Sequence, residues 1–301
     1  MSEYTTMGEP QFSNTFQVAL TDLRRRIIQR GDMSHTSVGD LLSYVEALAQ
    51  FPLGRLLVEK RSIDAFWTDF VMTSTEQKDC SDLEGFILNR SPFTIAWREL
   101  LQNFQRITQE NLDNGMTLAS IPCGAMRELL QLDFSSISDF KIIGIDIDLD
   151  SLMLAEQLAA ERGLSQNVSL RQQDAWQLPY DSEIDIITSC GLNIYTPDRQ
   201  KVLDLYRQFF RALKPGGQLI LGFLTYPPGE NERSEWQADK ISAKDLFLEK
   251  VLYKDILDPQ WRNFRTSGEI EDELKKTGFW EVIFHYDTLH VFPTVVARKK
   301  I

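Results

Sequence analysis

A small-residue turn and a downstream acid are the residues of this sequence best suited to hold a ligand. The turn Pro122-Cys123-Gly124 closes a predicted strand, and Gly124 lets a ligand approach the backbone because it has no Cβ. Asp146 ends a second apolar run of strand length. A carboxylate at the carboxyl end of the second strand of a βαβ unit is where ribose hydroxyls are usually held. Together these features predict a site for a cofactor that contains a nucleoside.

The remaining reactive side chains add little chemistry of their own. Cys123 and Cys190 fit buried small residues better than nucleophiles. The three histidines and three cysteines do not form a set with metal-ligand spacing, so no metal is predicted. The wide separation of the cysteines indicates a reducing compartment without a disulfide framework. His290 is the one candidate general base, because it lies at the end of the predicted sheet where a ligand is expected.

The composition is that of a globular chain with an acidic balance. The 301 residues include 32 Lys and Arg against 44 Asp and Glu, which gives a net charge of −12. The basic residues form no block, so a nucleic-acid partner is disfavoured. No apolar stretch reaches the length of a membrane-spanning helix, and the polar N-terminus does not resemble a signal peptide. The sequence therefore predicts a cytoplasmic protein without a membrane or nucleic-acid partner, of undetermined oligomeric state.

The turn and the acid belong to the second part of the chain. We predict a disordered tail at 1–13, a helical segment at 14–111 that covers the rest, and an α/β domain at 112–301 with an insertion at 225–262. Strands alternate with helices from residue 116, which is typical of a parallel sheet with helices on both faces. The last two runs are too close for a crossover helix and must form an antiparallel hairpin. The predicted strands are 116–122, 140–147, 167–174, 184–191, 216–224, 279–287 and 291–298, and the main helices of this domain are 124–133, 149–163, 198–213 and 267–277.

Five stretches, in order and spacing, resemble the motifs of the class I S-adenosylmethionine (SAM)-dependent methyltransferases. The resemblance covers about residues 115–300. Each stretch alone is a weak signal, but five stretches in the correct order and spacing are a strong one. It implies a seven-stranded, mostly parallel Rossmann-like sheet with a terminal antiparallel hairpin, and SAM as the cofactor. The five stretches are 121–124, 144–155, 173–179, 184–187 and 213–217.

The resemblance also implies roles for individual residues. Asp146 would hold both ribose hydroxyls. Asp174 would accept a hydrogen bond from the adenine amino group, and the N–H of Ala175 would donate to the adenine ring. The implied cofactor-binding set is completed by Pro122, Cys123, Gly124, Ile147 and Trp176.

The first motif departs from the family pattern. Ser120 stands where an acid is usual, and Pro122 and Met126 stand where glycines are usual. Ser120 cannot supply the carboxylate that often orders the methionine end of the cofactor through water. Pro122 has no N–H to donate, but the N–H of Gly124 stays available. We therefore expect the chain to bind SAM in spite of this departure.

Four further side chains are candidates for contact with the methyl acceptor. Asn193 and Tyr195 follow the fourth strand, where ligands of open α/β sheets collect, or else they order that loop. Trp67 of the helical segment and Trp236 of the insertion are surplus aromatics that could close over the site or pack in a core.

Three functions stay open at this point. The first is transfer of the SAM methyl group to an oxygen, nitrogen or carbon atom of a small molecule. The second is methylation of a protein side chain, and the third is a non-catalytic module that binds SAM or a partner. A nicotinamide dehydrogenase is disfavoured, because the turn after the first strand does not read G-x-G-x-x-G.

Overall fold

The computed structural model describes residues 14–74 and 80–301, so the tail predicted at 1–13 lies outside the described residues. Within them the N-terminal segment is built from helices, and α5 continues into a π-helical turn at Phe86–Arg90. No single described helix is long and apolar enough to cross a membrane; only α2 and α3, bent by 117°, reach that length together. The helices of this segment are α1 (Asn14–Arg30), α2 (Val38–Leu48), α3 (Pro52–Lys60), α4 (Ala65–Thr73), α5 (Asp82–Gly85) and α6 (Pro92–Glu110).

The described part of the remaining chain forms a seven-stranded sheet in the order β3-β2-β1-β4-β5-β7-β6. The first five strands are parallel. The last two pair antiparallel with each other, and β7 pairs antiparallel with β5. The predicted mostly parallel sheet and terminal hairpin are thus confirmed. The strands are β1 (Met116–Ser120), β2 (Phe140–Asp146), β3 (Val168–Gln172), β4 (Ile184–Ser189), β5 (Leu213–Gly222), β6 (Glu281–His285) and β7 (Thr294–Arg298).

The side chains of the central strands point alternately into two separate hydrophobic cores. Leu118 is in register with Ile142 and Ile186, and all three face the core that also contains the N-terminal helices. The next residues along, Ala119 and Ile143, face the opposite core. Because both faces are covered, apolar side chains of these central strands are buried on both sides of the sheet, as expected for a parallel sheet.

The helices after the strands follow the predicted pattern with one exception. The predicted helix 124–133 is only the single turn α7, because Met126 adopts a left-handed backbone with φ of 53° immediately before it. The exception matters because it shapes the turn after β1. The helices of this part are α7 (Arg127–Leu130), α8 (Leu149–Glu161), α9 (Leu192–Tyr195), α10 (Arg199–Ala212), α11 (Ala243–Lys250) and α12 (Ser267–Lys276).

The predicted insertion at 225–262 packs against the N-terminal helices. Its α11 continues into a π-helical segment, Val251–Leu257. Arg26 donates a hydrogen bond to the carbonyl of Ile256 at 2.7 Å, and Arg30 donates to the carbonyl of Asp255 at 2.8 Å. These charge-assisted bonds tie together two segments far apart in sequence, at the edge of the sheet where the parallel strands end.

Candidate active site

A cavity of 790 Å³ lies where the carboxyl ends of β1, β2 and β4 meet helices α4 and α6. Its volume falls in the range of small-molecule and cofactor sites, and its place at the carboxyl edge is the usual one for ligands of open α/β sheets. We call it the edge cavity. Among the predicted site residues, the edge cavity is lined by Pro122, Cys123, Gly124, Asp146 and Tyr195.

The carboxylate of Asp146 organises two turns at the floor of this cavity. Its Oδ2 accepts a hydrogen bond from the N–H of Gly124 at 3.0 Å, and its Oδ1 accepts one from the N–H of Asp148 at 3.0 Å. Burial raises the pKa of Asp146, while these two N–H donors oppose the rise. The backbone N–H of Ile147 also helps to lower this pKa, and a carboxylate has about four acceptor sites, which is more than these donors use. The arrangement is therefore compatible with two hydroxyl groups donating from the cavity, as the two hydroxyls of a ribose would.

The turn after β1 contacts α4. Gly124 has a positive φ of 47°, and a Cβ at this position would lie 3.9 Å from the Cβ of Ala65. Arg127, the first residue of α7, forms a two-point ion pair with Asp69 of α4, and its Nη2 lies 2.8 Å from Asp69 Oδ2. Both side chains are mostly buried. The N-terminal segment therefore contacts the turn directly and forms one wall of the edge cavity.

A carboxylate that the sequence analysis missed lies at the end of β1. Glu128 of α7 accepts hydrogen bonds at Oε1 from the hydroxyl of Ser120 and, at 2.9 Å, from the hydroxyl of Thr188. Glu128 lines the edge cavity, and burial raises its pKa. The missing acid of the first motif is thus matched in space by an acid eight residues later. A glutamate near the start of a predicted helix gave no sequence signal for this.

The walls of the edge cavity carry an excess of negative charge. Lys60 lies 3.6 Å from Asp64, and Arg127 is paired with Asp69. The other four acids form no ion pair within the described residues, although Lys60 helps to lower the pKa of Asp148. Such a surface favours a ligand with positive charge, which a sulfonium and an ammonium group both carry. The six acids of the lining are Asp64, Asp69, Glu128, Asp146, Asp148 and Asp150.

Much of the remaining lining of the edge cavity is aromatic, and we call it the aromatic side. The Tyr195 hydroxyl lies 3.3 Å from the hydroxyl of Ser62, and burial raises the pKa of Tyr195. Burial also raises the pKa of Cys190 to about 12 and raises that of Cys123. Both thiols stay protonated near neutral pH, which fits their interpretation as buried small residues. The aromatic residues of this side are Phe93, Trp97, Phe104, Tyr195, Trp261 and Phe292.

Four of the residues expected to bind the cofactor lie just beyond this lining. Asp174 accepts the backbone N–H of Trp176 at 2.9 Å and so caps a short 3₁₀ turn, while the Trp176 indole donates to the carbonyl of Lys201 at 2.8 Å. Ala175 lies in the same turn and is buried. Ile147 is 71% exposed. The segment is adjacent to the acid, because the N–H of Gln173 donates to the Asp146 carbonyl at 2.9 Å.

Three other candidates lie away from the edge cavity. His290 takes a left-handed backbone with φ of 56°, and its ring stacks on Tyr286 with centroids 4.4 Å apart. Trp67 packs edge-on against Phe66 and Phe70 instead of lining the cavity. The Asn193 amide donates to the carbonyl of Gly222 at 2.9 Å. None of these three side chains lines the edge cavity, so the structure does not bring them together with the predicted residues that do.

A second cavity of 340 Å³, the insertion cavity, lies between the insertion and α6. Trp236 lines it, and its buried indole N–H has no hydrogen-bond partner among the described residues. Phe93 and Trp261 line both cavities and stack with centroids 5.8 Å apart. Two aromatic rings therefore form the partition between the edge cavity and the insertion cavity.

Comparison with known proteins adds relatives to this geometry. Residues 112–278, more than half of the chain, match the model of a methyltransferase domain family. A demethylmenaquinone methyltransferase of Lactococcus lactis subsp. lactis is 28% identical over 174 residues, which are 55% of this chain and 66% of that protein. A 27-O-demethylrifamycin SV methyltransferase of Amycolatopsis mediterranei is 31% identical over 115 residues, 38% of this chain and 40% of its own. The chain thus spans no more than about two thirds of the length of these two relatives.

One solved structure resembles the chain along almost its whole length. It is a possible exported protein from Bordetella parapertussis, 36% identical, with a TM-score of 0.91. The match covers 95% of this chain and 96% of that one. The likeness therefore extends over the N-terminal helices and the insertion as well as the sheet.

Proposed function

The chain belongs to the methyltransferase domain family and is a SAM-dependent methyltransferase, and we propose that its methyl acceptor is a small molecule with an aromatic or otherwise apolar body. The observation that carries this proposal is the edge cavity itself. Acids and the turn after β1 form one side, and aromatic rings form the other. A single cavity, partly open to solvent, can thus hold a charged cofactor beside an apolar acceptor.

We assign the acidic side of the edge cavity to the cofactor. Asp146 would accept the ribose hydroxyls with its remaining lone pairs, and the turn Pro122-Cys123-Gly124 would lie along the chain of the cofactor. Ile147 is exposed beside Asp146 and offers an apolar surface for a flat ring. Asp174, Ala175 and Trp176 follow β3 at the same edge and would bind the far side of the adenine.

The aromatic side would hold the acceptor. When bound, SAM supplies a methyl group activated by its sulfonium, and attack on that group needs close alignment more than acid or base chemistry. The contribution of this chain is then to align the acceptor against Trp97 and Trp261, to exclude water with α4 and α6, and to orient an acceptor atom through the Tyr195 hydroxyl. The raised pKa of Tyr195 keeps that hydroxyl protonated, so it donates a hydrogen bond.

The insertion cavity would receive the rest of a larger acceptor. Its lining is mainly aromatic and aliphatic, and the rings of Phe93 and Trp261 line both this cavity and the edge cavity. The unpartnered indole N–H of Trp236 is a donor for a carbonyl or ether oxygen there. The two curated relatives act, by their names, on demethylmenaquinone and on 27-O-demethylrifamycin SV, which are small molecules.

Transfer of a labelled methyl group tests the proposal. The chain is incubated with methyl-tritiated SAM and a panel of phenols, quinols and aromatic amines, in parallel with denatured cell protein as an alternative acceptor. We expect label in the low-molecular-weight fraction, and much less of it with the Asp146→Asn variant at the same SAM concentration. Label confined to the protein fraction would identify a protein methyltransferase and contradict the proposal. Absence of SAM binding by calorimetry would contradict its cofactor part.

A further inference from the structure

The methionine end of SAM carries an ammonium group that needs a negative partner in the site. The resemblance implies an acid at the end of the first strand that often orders this end of the cofactor through water, and this chain has Ser120 there. The structure places the Glu128 carboxylate against that serine. The position of the negative charge is therefore close to the family position, although the residue that carries it comes from the following helix.

The Glu128 carboxylate is held in place from two strands. Ser120 ends β1 and Thr188 lies next to the end of β4, and both hydroxyls donate to the same oxygen, Oε1. Oε2 accepts no hydrogen bond from another described residue. Since Glu128 lines the edge cavity, its second oxygen is available to a ligand while the first is fixed by the sheet.

No described cation neutralises this carboxylate. Its raised pKa reflects burial, opposed only by hydrogen bonds, with no attraction from a lysine or arginine. The cation nearest in sequence, Arg127, is paired with Asp69. The Glu128 carboxylate contributes to the raised pKa values of two thiols, Cys123 and Cys190, and both thiols are neutral. A buried carboxylate without a counter-ion is costly, and a positive group that arrives with a ligand would offset that cost.

We propose that Glu128 binds the amino group of the methionine moiety of SAM, and that Ser120 and Thr188 are positioning residues that aim its carboxylate. This inference rests on the proposed use of SAM. It assigns to Glu128 a cofactor contact that an alignment of the first motif would place at position 120. A purely structural role needs only an acceptor for two hydroxyls, which a neutral glutamine also provides. The binding role needs the charge.

The test compares two ligands that differ only at this end. S-Adenosylhomocysteine carries the amino-acid moiety without a sulfonium, and 5′-methylthioadenosine lacks the amino-acid moiety. For Glu128→Gln we expect the affinity for S-adenosylhomocysteine to fall about tenfold or more by calorimetry, as for loss of a charge-assisted hydrogen bond. Affinity for 5′-methylthioadenosine should stay within about twofold. Glu156→Gln, an exposed site on α8 with the same change of charge, should alter neither.

A double variant that moves the carboxylate from position 128 to position 120 tests whether binding can be rescued. Ser120→Asp in the Glu128→Gln background returns a carboxylate to the family position, and we expect it to restore most of the affinity for S-adenosylhomocysteine. Equal binding of S-adenosylhomocysteine by Glu128→Gln and the unaltered chain would overturn the inference. Equal loss for both ligands would also overturn it, because Glu128 would then shape the whole site.

The unaltered chain gives a readout that does not depend on how a variant folds. Binding of the ammonium group should favour the ionised form of Glu128, so S-adenosylhomocysteine should release protons on binding below the raised pKa. Calorimetry in buffers of different ionisation enthalpy measures this release, and 5′-methylthioadenosine should cause less. Equal proton release by the two ligands contradicts the inference. Failure of the unaltered chain to bind either ligand would instead contradict the proposed function.

Discussion

The N–H of Gly124 donates to Oδ2 of Asp146 at 3.0 Å, so the end of β2 fixes the turn that follows β1. The other oxygen of Asp146 fixes the N–H of Asp148 in the same way. One buried carboxylate therefore sets the backbone of two ligand-facing turns. From sequence alone we interpret Asp146 as a ligand-binding residue, and its second task, holding the turns, becomes visible only in the structure.

Asp146→Asn should weaken both cofactor binding and the fold. One oxygen becomes an NH₂ group that faces a backbone N–H, so a donor loses its partner. We expect SAM affinity to fall about tenfold or more and the free energy of unfolding to fall by about 1–3 kcal/mol. Calorimetry and urea unfolding measure the two effects. Asp150→Asn, a nearby acid of the cavity rim, should leave the unfolding free energy nearly unchanged. A stable Asp146→Asn chain with normal affinity would contradict this role.

The Asp69–Arg127 ion pair should couple α4 to the turn after β1. In a double-mutant cycle with Asp69→Asn and Arg127→Met, we expect a coupling free energy of about 1–3 kcal/mol, since both side chains are mostly buried. The exposed pair Arg106–Glu110 is the control, with an expected coupling below about 0.5 kcal/mol. Urea unfolding measures both cycles. Additive single effects at Asp69 and Arg127 would mean that α4 docks independently of the pair.

The sheet could be predicted from local pattern because its strands are buried on both faces. The near-continuous apolar run 140–147 identifies β2, and the short link before residue 291 requires the antiparallel hairpin. The single-turn α7 could not be predicted in this way. Its apolar spacing is that of a longer helix, and the left-handed backbone of Met126 depends on tertiary contacts that periodicity does not encode.

The binding residue at the floor of the edge cavity, Asp146, could be predicted from the sequence more readily than the residues of its walls. Asp146 follows from its position at a strand end, a matter of topology. Glu128 could not be found, because its link to Ser120 and Thr188 arises from the approach of α7 to two strand ends. For α4, aromatic content alone does not decide which face is buried. The sequence therefore indicates Trp67 as a candidate for acceptor contact, whereas the structure places Phe66 in the cavity lining.

Deleting N-terminal helices would not be a clean test of whether the helical segment 14–111 covers the site. Removing residues 1–90 would expose the core cluster that residues such as Ile27 and Leu41 share with Leu118 and Ile142 of the sheet. Such a chain would lose a large part of its apolar burial and not only its cover. Point changes at the α4 contact separate the two effects, as in the cycle above.

Stability should fall with rising pH because of Glu249. Burial of this α11 side chain raises the pKa of Glu249 to about 8, and hydrogen bonds from the Ser91 hydroxyl and the backbone N–H of Phe93 oppose the rise. Asp245 adds to the rise. A carboxyl with a raised folded-state pKa stabilises the fold below its unfolded pKa, and this contribution is lost as pH rises toward about 8, by at most about 1.4 kcal/mol per pH unit.

Glu249→Gln keeps an acceptor for Ser91 and removes the ionisation. We expect the unfolding free energy of the variant, relative to the unaltered chain, to increase steadily from pH 5.5 to pH 8.5 in urea titrations. A constant difference over that range would show that Glu249 does not ionise with a raised pKa.

Filling the insertion cavity should affect the acceptor and spare the cofactor. Leu246 lines that cavity and Lys244 does not, so Leu246→Trp and Lys244→Trp form a matched pair on α11. With an acceptor found in the labelled screen, we expect Leu246→Trp to raise KM several-fold while the Kd for S-adenosylhomocysteine stays unchanged. Unchanged KM for every acceptor in both variants would exclude the insertion cavity from acceptor binding.

A crystal structure of the chain with S-adenosylhomocysteine is the most direct measurement of the central claim, the assignment of the edge cavity to the cofactor. The account predicts ribose oxygens within hydrogen-bonding distance of Asp146, the amino group beside Glu128, and the sulfur directed toward the aromatic side near Trp261. Clear density for the ligand outside the edge cavity, or a ribose away from Asp146, would contradict the account.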